Sequence, residues 1–182
     1  MDLHISLLRG INVGGHHKIP MSSLKQWYEE LGFHDVKSYI QSGNLVFKSP
    51  LKKNTDVELL IKEKIRSMHN MNIEVIVRSA GEFEKALRNH PFAKLPQAKE
   101  EHLLIIFLQQ HPDEKLSSVL NKEDYLPDQF QLVGREIFLY CPDGYGRTKL
   151  TSNFFERKWK VIATTRNLKT VKVLQSMTQP DL

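Results

Sequence analysis

The residues best suited to chemistry sit in three polar loops. The first is Arg9-Gly10-Ile11-Asn12-Val13-Gly14-Gly15, followed by His16, His17 and Lys18. Glycine leaves backbone amides accessible, and amides facing one way make a concavity for an anion, with Arg9 and Lys18 as flanking cations. It is no dinucleotide fingerprint, which needs glycine where Asn12 stands and a helix opening at once rather than near Pro20. A structural turn is the alternative, although Gly10 to Ile19 is longer than a simple turn requires. The second loop, Gly144-Tyr145-Gly146-Arg147-Thr148-Lys149, echoes the end of a phosphate-binding P-loop. Cys141 stands where the earlier glycine belongs and Arg147 where the lysine belongs, so only Arg147 and Lys149 as charge-assisted donors carry over. The third, Thr164-Thr165-Arg166-Asn167, ends a strand and opens a helix, which collects free amides and the positive dipole end beside Arg166 and Lys169. There Asn167 reads equally well as an N-cap worth ~1 kcal/mol with no ligand present.

His16-His17 has no Cys or carboxylate at ligand spacing and reads as exposed loop histidine, so no metal is expected. No catalytic triad can be assigned from spacing, because its members meet only in space.

These loops must be positioned by regular elements. Leu3, Ile5 and Leu7 alternate with polar residues as a half-buried strand. A helix runs from Pro20 to the stop at Gly32, bearing Met21, Leu24, Tyr28 and Leu31. Strands at Val36–Ile40 and Leu45–Phe47 flank the tight turn Gln41-Ser42-Gly43-Asn44. Thr55 with Glu58 predicts a capping box, Ile73, Val75 and Val77 a fourth strand, and Ser79 with Glu82 a second capping box. The order then repeats: a strand at Leu103–Leu108, a helix with Leu116, Val119 and Leu120, and a hairpin from Phe130–Val133 and Ile137–Tyr140. A helix over Lys149–Lys158, a strand at Val161–Ala163 and a helix over Asn167–Met177 complete it.

The expected class is therefore α+β, with two ferredoxin-like βαββαβα halves packed into one body. Residues 1–90 and 100–182 form the halves, and the proline-bearing segment 91–99 is the linker. Leu103–Leu108 is apolar on both faces, so its sheet must be covered on both sides, and a core shared between the halves is the expectation. In such a topology the loop after Arg9 and the turn at Gln41–Asn44 share one end of the first sheet, while the Gly144 loop and the Thr164 turn share one end of the second. All four meet only if those ends are brought together.

Composition bounds the function. With 182 residues, 40% hydrophobic and 26% charged, the chain suits an ordinary folded protein. One cysteine excludes an internal disulfide, and the N-terminus shows neither basic segment nor long apolar run, so a cytoplasmic location is expected, with no membrane. A net charge of +5 without a Lys/Arg block gives mild attraction to polyanions.

Four stretches carry a family resemblance. They are Leu7-Leu8-Arg9-Gly10-Ile11-Asn12-Val13-Gly14-Gly15 with Lys18-Ile19-Pro20-Met21; Gly32-Phe33 with Tyr39-Ile40-Gln41-Ser42-Gly43-Asn44; Gly144-Tyr145-Gly146-Arg147-Thr148-Lys149-Leu150; and Ala163-Thr164-Thr165-Arg166-Asn167 with Thr170-Val171. In these the chain is similar to the uncharacterised family called domain of unknown function 1697. It departs at Leu168 and Lys169, where that family has Trp and Asn, and at Thr148, where it often has Ser. The resemblance implies two related α/β subdomains in a cytoplasmic protein and no assigned activity. The expected function is binding of a phosphate-bearing small ligand such as a nucleotide, on Arg9, Asn12, Gly14, Gly15, Lys18, Arg147, Lys149, Arg166 and Asn167. RNA binding, which needs Phe138 and Tyr140 as exposed stacking aromatics, and an enzyme acting on a phosphorylated metabolite are the alternatives.

Overall fold

The computed structural model describes residues 1–14 and 18–179. The chain divides into two compact units, residues 1–84 with the segment from Val173 onward, and Lys85–Lys172. This differs from a split at 91–99. Pro91–Lys94 forms a 3₁₀ turn, and the His90 and Phe92 rings lie 5.1 Å from Phe138 and 6.5 Å from Tyr140, inside the second unit.

In the first unit, β1 (Asp2–Leu8) leads through the Arg9 loop to α1 (Met21–Glu30), then β2 (His34–Tyr39), β3 (Asn44–Ser49), α2 (Asn54–His69), β4 (Val75–Ser79) and α3 (Ala80–Arg88). The sheet order is β2-β3-β1-β4 with antiparallel neighbours, the ferredoxin-like arrangement. Leu24, Trp27 and Tyr28 of α1 and Val57, Ile61 and Ile65 of α2 pack with Leu8, Leu45, Phe47, Val75 and Val77 on one sheet face.

The capping box expected at Thr55 and Glu58 does not form. The helix starts two residues earlier, at Asn54 after Lys53, and buried Glu58 instead accepts the outward N–H of edge-strand residue Val77 at 2.8 Å. The second box does form: Ser79 N–H donates to Glu82 Oε2 at 2.9 Å and Glu82 N–H to Ser79 Oγ at 3.3 Å.

The second unit repeats the plan with β5 (Leu103–Leu108), α4 (Glu114–Ser117), β6 (Gln129–Val133), β7 (Glu136–Tyr140), α5 (Ser152–Trp159), β8 (Ala163–Asn167) and α6 (Leu168–Ser176), the last continuing into the first unit's segment. Its sheet order, β6-β7-β5-β8, maps strand for strand onto the first. Every residue of β5 is buried, as its double apolar pattern requires.

Three elements depart from the sequence expectation. The helix expected to bear Leu116, Val119 and Leu120 shrinks to the single turn α4, where the Ser117 and Ser118 hydroxyls bond back to the Glu114 and Lys115 carbonyls and Val119 stands 73% exposed. The α5 helix begins at Ser152 instead of Lys149 because Thr151 Oγ1 accepts the Phe154 N–H. The last strand runs over 163–167 because Thr164 and Thr165, both β-branched, pair with Phe107 and Ile106.

The repeat extends to particular side chains. Arg78 and Arg166 are each the fourth residue of their edge strand, each buried, and opposite Ile5 and Ile105 respectively. Each donates Nη1 to the preceding carbonyl, Val77 O at 3.0 Å and Thr165 O at 2.8 Å. Glu156 of α5 likewise takes the Ala163 N–H of β8 at 2.9 Å, as Glu58 takes that of Val77.

Candidate functional site

The first unit brings the β1–α1 loop onto the β2–β3 turn. Leu8 N–H donates to Gly43 O at 2.9 Å, which places the turn against the end of β1. Gly43 has φ +74, and a Cβ there would stand 2.7 Å from both Leu8 Cβ and Ile11 Cδ1, so only glycine permits the approach. Asn12, itself at φ 54, ties the junction together. Its Nδ2 donates to Ile19 O at 3.0 Å and Gln41 O at 2.8 Å, while its Oδ1 accepts the Ile19 N–H at 2.8 Å. Asn12 thus serves the loop's base and has no side-chain donor left for a ligand.

Beyond that base, Gly14 (φ 57) and Lys18 are exposed and Arg9 is half-buried, its N–H donating to Glu74 O at 2.9 Å. From Leu3 to Tyr28 the chain carries Arg9, Lys18 and Lys25 and no acidic residue. Gly15 and the pair His16-His17 lie outside the described residues. Ile40, β-branched yet at φ 50, holds strain of ~1–3 kcal/mol in the same turn.

The second unit joins its two polar loops in a parallel way. Tyr145 Oη and Thr165 Oγ1 lie 2.9 Å apart, linking the Gly144 loop to β8. The cations there have other neighbours than an anion would need. Exposed Arg147 and Lys149 border a depression of about 210 Å³ together with Asp124, Asp128 and Asp143, so carboxylates outnumber cations. Arg166 is buried, with Nη1 donating to Thr164 Oγ1 and Thr165 O, both at 2.8 Å; desolvation brings its pKa down to about 10. Asn167 Oδ1 accepts the Thr170 N–H at 2.8 Å, capping α6 as the N-cap alternative expected. The nine site residues thus divide by unit: Arg9, Asn12, Gly14, Gly15 and Lys18 in the first, Arg147, Lys149, Arg166 and Asn167 in the second.

Phe138 and Tyr140 are 2% and 5% exposed, so the aromatic platform that RNA stacking requires is absent from β7. Cys141 is buried, and desolvation, with Asp128 adding to it, pushes its thiol up to about 12, which removes it as a nucleophile. Among the described residues no three His, Cys, Asp or Glu side chains are placed to hold a metal, and no helix is long and apolar enough to cross a membrane.

Two features escaped sequence reasoning. His4, wholly buried in β1, bonds Asn54 Oδ1 through Nδ1 at 3.2 Å and Leu51 O through Nε2 at 3.0 Å, and Asn54 Nδ2 donates to Glu82 at 2.7 Å. The chain resembles a proton relay, but burial keeps substrate from His4. Its only sequence signal is a polar residue inside an apolar strand. The other is a groove of about 650 Å³ in the first unit, with Leu3 and Val46 in its lining and Lys25, Glu29, Asp35, Lys37 and Lys48 around it.

A family model described as "Protein of unknown function (DUF1697)" matches residues 1–138. The chain belongs to this family. The DUF1697 chain is also similar to the solved structure of the conserved bacterial protein SP0830 from Streptococcus pneumoniae. The TM-score is 0.73 at 26% identity, over 98% of this chain and 99% of that one. No curated protein matches.

Proposed function

We propose that this DUF1697 chain binds a phosphate-bearing small molecule at the β1–α1 loop of its first unit, with Gly14, Lys18 and Arg9 facing the anion. The observation that supports this is the Asn12 clamp. By fastening Asn12 to Ile19 and Gln41, it fixes the loop's base before any ligand arrives, so binding need not supply the ordering of that base. The stretch from Leu3 to Tyr28 brings three Lys and Arg cations and no acidic residue to the loop and its flanks. Arg147 and Lys149 border a depression shared with three carboxylates, a poorer setting for an anion.

The test is a set of melting curves in phosphate, sulfate and nucleotides. A ligand at a hundred times its Kd adds about 2.7 kcal/mol, and the rise should be larger at low salt. Lys18→Ala should shrink the shift, while Arg147→Ala and the exposed Lys52→Ala should leave it intact. No anion-dependent shift, or equal losses from Lys18→Ala and Lys52→Ala, would leave the loop a structural junction.

A further inference from the structure

Each sheet has an outer edge strand on its hairpin side, β2 in the first unit and β6 in the second. Unpaired edges are templates for another strand, and folded proteins blunt them with bulges, charges and twisted backbone. β2 carries all three. Its register shifts between His34 and Lys37, Asp35 has φ 52, and Asp35 and Lys37 place charge on the edge, with Lys48 bonding Asp35 at 2.7 Å. β6 carries none. Its sequence is Gln-Phe-Gln-Leu-Val, and it pairs with β7 in unbroken register from Gln129↔Tyr140 to Val133↔Glu136. Among the described residues no backbone hydrogen bond joins the outer side of β6 to any other segment.

The surroundings of that edge are self-complementary. A groove of about 240 Å³ runs along Gln129, Phe130 and Gln131, walled by Phe92, Lys122 and Leu126. At the strand's far end Val133 stands 46% exposed, and Leu126 beside the groove is 63% exposed. Two copies of β6 laid antiparallel about a two-fold axis through Gln131 pair Phe130 with Leu132 and Gln129 with Val133. Each copy's exposed Val133 then enters the other's groove.

We propose that the protein forms a two-fold homodimer by antiparallel β6–β6 pairing centred on Gln131, extending the second unit's sheet across the axis. Five residues a side make a small interface, which places the affinity at the weak end of specific association.

Sedimentation equilibrium of the full chain, carried up to about 1 mM, tests this. The wild type should be in monomer–dimer equilibrium. Gln131→Lys sets two like charges face to face on the axis and should weaken dimerisation roughly tenfold or more. Gln131→Glu should do the same, and an equimolar mixture of the two variants should recover dimers, because Lys then meets Glu. Val133→Asp should weaken the dimer independently. Both positions are exposed, so the variants should fold, which circular dichroism confirms. A monomeric wild type over the whole range, or dimers indifferent to Gln131→Lys, overturns the proposal. Dimers that weaken in both variants without recovery on mixing would overturn the antiparallel register.

Discussion

Replacing Gly43 by alanine perturbs the junction between β1 and the β2–β3 turn in two separable ways. The first is conformational. At φ +74 an L-residue loses ~1–2 kcal/mol relative to glycine. The second is steric. The new Cβ meets Leu8 Cβ and Ile11 Cδ1 at 2.7 Å and Ile11 Cγ1 at 2.9 Å. Ile11 can rotate, but Leu8 Cβ is fixed to the backbone of β1, so relief requires a shift of turn or strand, at the ~1–3 kcal/mol usual for overpacking. The expected loss is therefore roughly 2–5 kcal/mol. Gly10→Ala is the internal comparison. Gly10 has φ +69 but nothing within 4 Å of a built Cβ, so it should lose the conformational part alone. Urea titration of both variants at one pH gives the difference directly. If Gly43→Ala is no worse than Gly10→Ala, the close approach is not a constraint and the turn is free to move away from the β1–α1 loop.

Ile105→Ala, in the middle of wholly buried β5, should lose ~2–5 kcal/mol in the same titration, and a loss below about 1 kcal/mol would contradict the burial of both faces of that strand. His90, desolvated in the fold while its Nε2 contacts Leu104 O at 3.1 Å, has its pKa lowered, so the unfolded chain binds the extra proton. Its contribution to stability is complete above the unfolded value of about 6.5 and is lost as pH falls toward the depressed folded value, at up to about 1.4 kcal/mol per pH unit. Denaturant midpoints measured across that window should fall with acid in the wild type and fall less in His90→Phe, and equal slopes would remove His90 as the source.

The fold was legible where one periodicity ran unopposed. Alternation in Leu3, Ile5 and Leu7 and the double apolar run of Leu103–Leu108 marked strands that the structure contains. Ser79 with Glu82 marked a cap that forms. The same motif misled at Thr55 and Glu58, because an edge strand distant in sequence offered Glu58 a buried N–H that local spacing does not reveal. The site was legible in its loops and not in its contacts. Asn12 and Asn167 looked like ligand donors, yet one clamps a loop base and the other caps a helix. Lys149 and Arg147 looked like phosphate cations, but three aspartates, two of them well back in the sequence, line the same depression. The pairing of Arg78 with Arg166 as repeat partners was invisible because it lies in strand position, and their flanking sequences differ.

Glu58 and Glu156 have a consequence for how far strands can add. Each takes an N–H on the outer side of its unit's last strand, so that margin already has a carboxylate where an incoming chain would need a donor. The margin at β2 is bent and charged. A ribbon that grows by recruiting further molecules needs two receptive margins per molecule, and among the described residues this chain presents one, at β6. Association through it consumes that margin in both partners, so strand addition stops at two copies and gives no fibre.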